Sequence, residues 1–353
     1  MFRAKTLLVL GAGASLEVGL PTGETLLKQI SDLIDFRFEF GDRLTSGDQL
    51  LLQTLKIILN EGREVKNLNA HLAAGQQLRK SAQQALSIDN VIDALEDKKV
   101  ELVGKLGILR AILKAESESQ FFRPQQEHRD VVDVQNFGST WYSSFTKLLT
   151  ENIRKSEVDR LFENIEIINF NYDRCLERYL PQSISDYYGI SLQEAEALMT
   201  KLRVHRPYGL CGRLPWMQGQ GPIIQFGQEN SNLLGAAVSQ IRTFTEQIDE
   251  GDEIDAIRSA IGNADRIIFL GFAFHRQNMS LLSSPIQDHT EIIATAYGIS
   301  SDDIAVIERE SARVFDFEED SYSVSNRINL RGIKCAGLFK QHWRTITSEA
   351  KEV

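Results

Sequence analysis

The sequence predicts an α/β protein, a doubly wound parallel Rossmann-like sheet with a large inserted helical subdomain. Three observations carry that expectation. A short apolar run, Leu7-Leu8-Val9-Leu10, stops abruptly at Gly11 and Gly13, as a buried parallel strand does. From about residue 160 onward, short apolar runs alternate with helical patterns, which implies strands joined by crossover helices. Between them the apolar residues recur at helical spacing. The expected division is therefore residues 1–23 and 160–353 for the sheet domain and 24–159 for the helical insertion.

The elements follow in order. Residues 5–10 read as the first strand. Leu26, Leu27, Ile30, Leu33 and Ile34 share one helical face, as do Leu50, Leu51, Leu55, Ile58 and Leu59. Ile88, Val91, Ile92 and Leu95 mark a third helix, with Ser87 or Asp89 able to cap it. Further helices are expected over 98–115 and 138–153, around a polar loop at 116–133, and no strand is expected from 24 to 160. Beyond it, 165–169 reads as a strand and a helix follows from Asp173. Residues 192–202 read as helical, while 203–205 and 223–226 read as extended. A long helix is expected over 238–261, strands over 266–272 and 291–296, a helix over 302–314, a strand over 333–338 and a short C-terminal helix.

Bulk properties narrow the function classes. With 353 residues, 42% hydrophobic and 25% charged, the composition is that of an ordinary soluble globular protein. No apolar segment approaches the roughly 20 residues that span a bilayer. The chain runs from Met1 straight into the first strand without a signal-peptide pattern, so a cytoplasmic protein is expected. The net charge of −10 argues against nucleic acid as a direct ligand. Cys175, Cys211 and Cys335 are scattered and odd in number, giving neither a disulfide framework nor a zinc site. No metal is expected.

The glycine-ended first strand brings backbone N–H groups and a helix start to a sheet edge, a setting that favours phosphate. It is not the usual dinucleotide fingerprint, because Leu16 stands where the third glycine belongs. Three later stretches also fall at strand ends. Ile168-Asn169-Phe170-Asn171-Tyr172-Asp173 supplies an amide suited to ribose hydroxyls and a carboxylate, although Asn and Asp at such a turn also serve as plain caps. Val204-His205-Arg206-Pro207-Tyr208-Gly209 supplies a histidine and a tyrosine. Gly271-Phe272-Ala273-Phe274-His275, with Asn278, follows another buried strand.

The run G-A-G-A-S-x-x-x-G-L-P resembles the first motif of the sirtuin family, and Asn171 and Asp173 fall on the matching positions of its T-Q-N-x-D motif, with Asn169-Phe170 replacing Thr-Gln. Sirtuin-like proteins of bacterial immune systems show such N-x-N-Y-D variants, and Ser87-Ile88-Asp89 is similar to a piece that recurs among them. The resemblance covers about 1–23 and 160–340. It implies NAD as substrate or ligand, held at Gly11, Ala12, Gly13, Ser15, Pro21, Thr22, Asp173, Gly271, Phe272 and Asn278, with no zinc. It implies a hydrolase that cleaves the nicotinamide–ribose bond in antiviral defence, triggered by a homo-oligomer or a defence-system partner protein. Asn171 would orient the ribose or a water.

The family's catalytic His-Gly pair is replaced. Aligned on the glycine, Tyr208 holds the histidine position and His205 lies three residues earlier. Either His205 acts as base from a shifted backbone, or Tyr208 holds the place without strong base chemistry, or both are structural. A non-catalytic NAD or ADP-ribose binding module is the second reading. A protein deacylase is the third, and the missing C-x-x-C pairs and Thr22-Gly23-Glu24 in place of D-F-R count against it.

Overall fold

A computed structural model of the chain describes residues 1–40, 43–61, 68–122, 132–244, 246, 251–317, 324 and 327–350. Six parallel strands form the central sheet: β1 (Thr6–Leu10), β4 (Ile165–Asn169), β5 (Arg203–His205), β6 (Arg266–Leu270), β7 (Glu291–Thr295) and β8 (Ile328–Arg331). They lie in the order β5-β4-β1-β6-β7-β8. Counting sheet strands along the chain, this is 3-2-1-4-5-6, the order of a doubly wound dinucleotide-binding sheet. Winding reverses at β1, between β4 on one side and β6 on the other.

Alternation along the strands builds two cores. Leu7, Val9, Ile168, Ile267, Phe269 and Ile292 point to one face, and Leu8, Leu10, Ile167, Ile268, Leu270 and Ile293 to the other. Both sides are apolar, as a parallel sheet covered twice requires.

Between Leu10 and Ile165 the chain leaves the sheet. It forms α1 (Ala12–Ser15), α2 (Gly23–Leu33), α3 (Gln49–Glu61), α4 (Leu68–Ala82), α5 (Ile88–Leu95), α6 (Lys98–Glu118) and α7 (Trp141–Thr150). Helices α2 to α6 pack with the Leu7/Val9 face, and α7 with the Leu8/Leu10 face beside α8 (Cys175–Tyr188) and α14 (Cys335–Thr347). The described residues also form α9 (Leu192–Met199), α10 (Ser231–Ala237), α11 (Gly251–Gly262), α12 (Arg276–Leu281) and α13 (Ser301–Val314). Among the described residues no helix is long and apolar enough to cross a membrane.

Several expected elements are corrected. A small antiparallel hairpin, β2 (Arg37–Glu39) with β3 (Arg43–Ser46), interrupts the helical stretch. Helix α6 runs on to Glu118, so Glu116 is helical rather than in a loop; the rest of that loop, 123–131, lies outside the described residues. Residues 223–226 form no strand beyond one bridge from Ile223 to Arg213. The expected 238–261 helix is broken: α10 ends at Ala237, Ile241 is extended and bridges Gly209, and α11 starts at Gly251. The strand expected at 333–338 is mostly helix. Cys335, Leu338, Phe339 and Ile346 bury one helical face, and the last strand lies earlier, at 328–331.

Candidate active site

Register sets the site. Leu10 lies beside Asn169 on β4 and Leu270 on β6, so the three loops that follow leave the sheet together. Gly11 N–H donates to the Leu270 carbonyl at 3.0 Å and Phe170 N–H to the Leu10 carbonyl at 3.0 Å. Over these ends opens a cavity of about 570 Å³, within the usual size of small-molecule sites. Its position is the topological switch point, where open α/β sheets bind ligands.

The glycines are required by each other. A Cβ on Gly13 would stand 2.8 Å from Gly271 Cα, and one on Gly11 2.6 Å from the Gly271 carbonyl oxygen. Gly271 has φ +58°, and a Cβ there would meet Ala14 N at 2.1 Å. Gly13 N–H is engaged, donating to the Gly271 carbonyl at 2.9 Å. Of the Ala12, Gly13 and Ser15 backbone expected to hold a diphosphate, the Gly13 N–H is therefore already committed. Helix α1 has only four residues, whereas α2 has eleven and no side-chain cap at Thr22. The Pro21-Thr22-Gly23 start of α2 lines the cavity and is the stronger anion-favouring group.

Ser15 does not line the cavity. It is buried beneath it, 3.2 Å from the Tyr142 hydroxyl, and its Oγ accepts from Asn171 Nδ2 at 3.3 Å. Asn171 Nδ2 also donates to the Gly11 carbonyl at 3.0 Å, which fixes the amide orientation because that oxygen needs a donor. The Asn171 Oδ1 stays uncommitted among the described residues, on a side chain that lines the cavity. Asp173 accepts the N–H of Cys175, the first residue of α8, at 3.0 Å, and it also lines the cavity. Burial raises its pKa.

The Val204–Gly209 stretch separates into two roles. His205 does not reach the cavity. Its Nε2 lies 2.8 Å from Glu166 Oε1, and its Nδ1 lies 3.7 Å from Glu253 Oε1. Hydrogen bonding to Glu166, then to Glu253, raises its pKa to about 9, so it is protonated at neutral pH and cannot accept a proton. The expectation of His205 as base is corrected on both grounds. Arg206 donates to the carbonyls of Asn171 (2.9 Å) and Asp173 (3.3 Å) and pairs with Glu177, clamping the N-x-D loop from behind.

Tyr208 does face the cavity, and its hydroxyl donates to Asn278 Oδ1 at 2.7 Å. Burial, then the nearby Asp89 and Asp93, raises its pKa well above the ordinary phenol value, so it is no base. Its ring meets Phe170 edge-on at 5.8 Å, and Phe170 meets Phe272 at 5.1 Å, forming an aromatic floor. Arg242 N–H donates to the Tyr208 carbonyl, which is why the chain is extended there instead of helical.

The loops after β7 and β8 close the other end with Thr295, Ala296, Tyr297, Ile299, Ile333 and Lys334. Lys334 Nζ sits 4.9 Å from the centre of the Tyr297 ring. Thr295 Oγ1 accepts the Gly271 N–H at 2.8 Å, tying that end to the glycine interlock.

Two contributors were not among the expected site residues. Asp89 lines the cavity and accepts the Tyr172 hydroxyl at 3.1 Å, while Ser87 caps α5 by accepting the Asn90 N–H. The signal was there, in Ser87-Ile88-Asp89 at a helix start. Glu17 also lines the cavity and accepts an N–H from the first turn of two helices, Trp141 of α7 and Ala336 of α14, each at 2.9 Å. Nothing in the sequence marks Glu17. No protein-family model and no curated protein matches this sequence.

Proposed function

We propose that this chain is a sirtuin-like NAD+ hydrolase that cleaves the nicotinamide–ribose bond to give nicotinamide and ADP-ribose. The observation that carries the reading is the meeting of Asn171, Asp173 and Tyr208 with the interlocked glycines at the switch point of a 3-2-1-4-5-6 sheet.

The cavity's chemistry suits the parts of NAD+ in sequence. The aromatic and aliphatic end at Phe272, Tyr297, Ile299 and Ile333 suits an adenine ring. The uncapped start of α2 at the middle suits a diphosphate. Asn171, Asp173 and Asp89 gather at the end beyond β4, where carboxylates favour the pyridinium cation and the positive charge that develops at ribose C1′. As the C1′–N bond breaks, its electron pair goes to the nicotinamide nitrogen and cancels the ring's charge. Water then bonds to C1′ and loses a proton. Asn171 Oδ1 orients the ribose or that water, and Asp173 holds the carboxamide. Involvement in bacterial antiphage defence, with an oligomer or partner as trigger, belongs to the same proposal.

The test is nicotinamide release by the purified full chain incubated with NAD+. Asn171→Ala is expected to lower the rate by about 100-fold or more, the usual scale for removing a preorganised polar contact to a transition state. Undiminished release by that variant overturns the mechanism. One observation favours a second reading, a binding module: Tyr208 is locked onto Asn278 where the family keeps a histidine. NAD+ that raises the melting temperature without nicotinamide release would establish that alternative.

A further inference from the structure

With His205 turned away and Tyr208 committed to Asn278, the hydrolysis proposed above lacks a proton acceptor at the residues aligned with the family's base. We propose that Asp89, on the wall contributed by α5, is that acceptor and takes the proton from the attacking water. This rests on the hydrolase reading.

The placement is specific. Asp89 sits in the first turn of α5, partly exposed to the same cavity that Asn171, Asp173 and Tyr208 line. The Tyr172 hydroxyl donates to its Oδ1 at 3.1 Å, and Tyr172 lies between Asn171 and Asp173 in the chain, so the bond ties the carboxylate to the loop expected to hold the ribose. The adjacent Asn90 Nδ2 donates to Gln277 Oε1 at 2.9 Å, which fixes the start of α5 against α12 beside Asn278. The carboxylate is thus held by Tyr172 and its helix start by Gln277, and among the described residues no cation pairs with it.

Its surroundings suit a base. Burial lifts the Asp89 pKa to about 6, countered in part by the Tyr172 bond. A carboxylate in that range is ionised at neutral pH and basic enough to accept a proton in a transition state. Tyr172 and Tyr208 face it from the loops after β4 and β5, and Asp93 lies one turn along α5. His275, whose pKa burial lowers, and Asp173 share the cavity. From α2 and α6, packed on α5, Leu26 and Ile112 face the cavity. On α4, Arg79 pairs with Asp35 at 3.0 Å and His71 lies near Asp97.

The proton balance closes. Water's oxygen bonds to C1′, the C1′–N electron pair leaves with nicotinamide, and the water proton passes to Asp89 and then to solvent.

The experiment follows nicotinamide release from NAD+ between pH 5 and 9 by the full wild-type chain, Asp89→Asn, Tyr172→Phe and His275→Ala, with NAD+ affinity measured alongside. Asparagine preserves the acceptor for Tyr172 and removes only the basic group. Asp89→Asn is expected to lower kcat by about 100-fold or more, within the usual range for a general base, and by far more than it lowers NAD+ affinity. The wild type is expected to lose activity in acid around pH 6, and Tyr172→Phe to move that limb to higher pH, because a hydrogen bond that favours the ionised carboxylate is gone. A wild type that releases nicotinamide while Asp89→Asn matches it, or while His275→Ala alone abolishes release, overturns the role of Asp89 and leaves the hydrolase reading standing. A wild type that binds NAD+ and releases no nicotinamide overturns the hydrolase reading, and the Asp89 role with it.

Discussion

Glu116 and Asp89 are both carboxylates of the helical segment, and both reach the loop that follows β4. Glu116, at the end of α6, is fully buried. It pairs with Arg174, and it also accepts the backbone N–H of Arg174 at 3.0 Å and of Gly227 at 3.1 Å. The Arg174 guanidinium continues to the carbonyls of Gly212 and Ile224, at 3.3 and 2.6 Å. Asp89, two residues away on the loop at Tyr172, has one neutral donor and an open side. The difference teaches what makes a buried carboxylate structural. A matched cation and a filled set of donors close Glu116 to any ligand, whereas Asp89 keeps a basic oxygen within reach of the cavity.

Isosteric neutralisation separates the two by sign. Glu116→Gln leaves the Arg174 charge buried and unpaired, and a loss of about 3–5 kcal/mol is expected by urea unfolding. A loss under about 1 kcal/mol would mean that water or Glu177 takes over the pairing. Asp89→Asn is expected to stabilise the fold by about 1–2 kcal/mol at pH 7.5. The folded pKa of about 6 lies above the ordinary 3.8, so the ionised form is a penalty that grows as pH rises between those values and is full above the upper one. The gain should vanish near pH 3.5, and a pH-independent gain would point to packing instead.

The third carboxylate contact has the smallest effect. His205 has a folded pKa of about 9 against 6.5, so its pairing stabilises fully below pH 6.5 and is lost as pH rises through 9. Glu166→Gln should cost about 1 kcal/mol at pH 6 in thermal melts, with the partly exposed pair discounted for screening, and nothing at pH 10.

The sequence was readable where local pattern and tertiary role coincide. Leu7–Leu10, Ile165–Asn169 and Arg266–Leu270 are short apolar runs ended by a turn residue, and each is a buried strand of the sheet. The loops after them fell into place with their strands. Legibility failed where a short apolar run fits either period, as at Ile333–Leu338, which packs one helical face instead of a strand. It failed again where a distant partner decides the backbone, as at Ile241, held extended by Gly209. At His205 the residue type pointed to chemistry, but two glutamates from elsewhere in the chain fix the ring away from the cavity. Glu116 looked like part of a polar loop because its partner, Arg174, is adjacent only in space.

The glycine interlock also bears on timing. Gly11 and Gly13 are made about 260 residues before Gly271, yet its backbone is the one they are shaped to fit. Until β6 has been made and docked, the nascent chain lacks Gly271 and Phe272 from its cavity floor. Long-range closure of this kind is slow, because chain entropy is lost before the contact forms. A polypeptide that carries this arrangement completes its cavity only after β6 has been made, so an interrupted translation product ending before β6 would lack it.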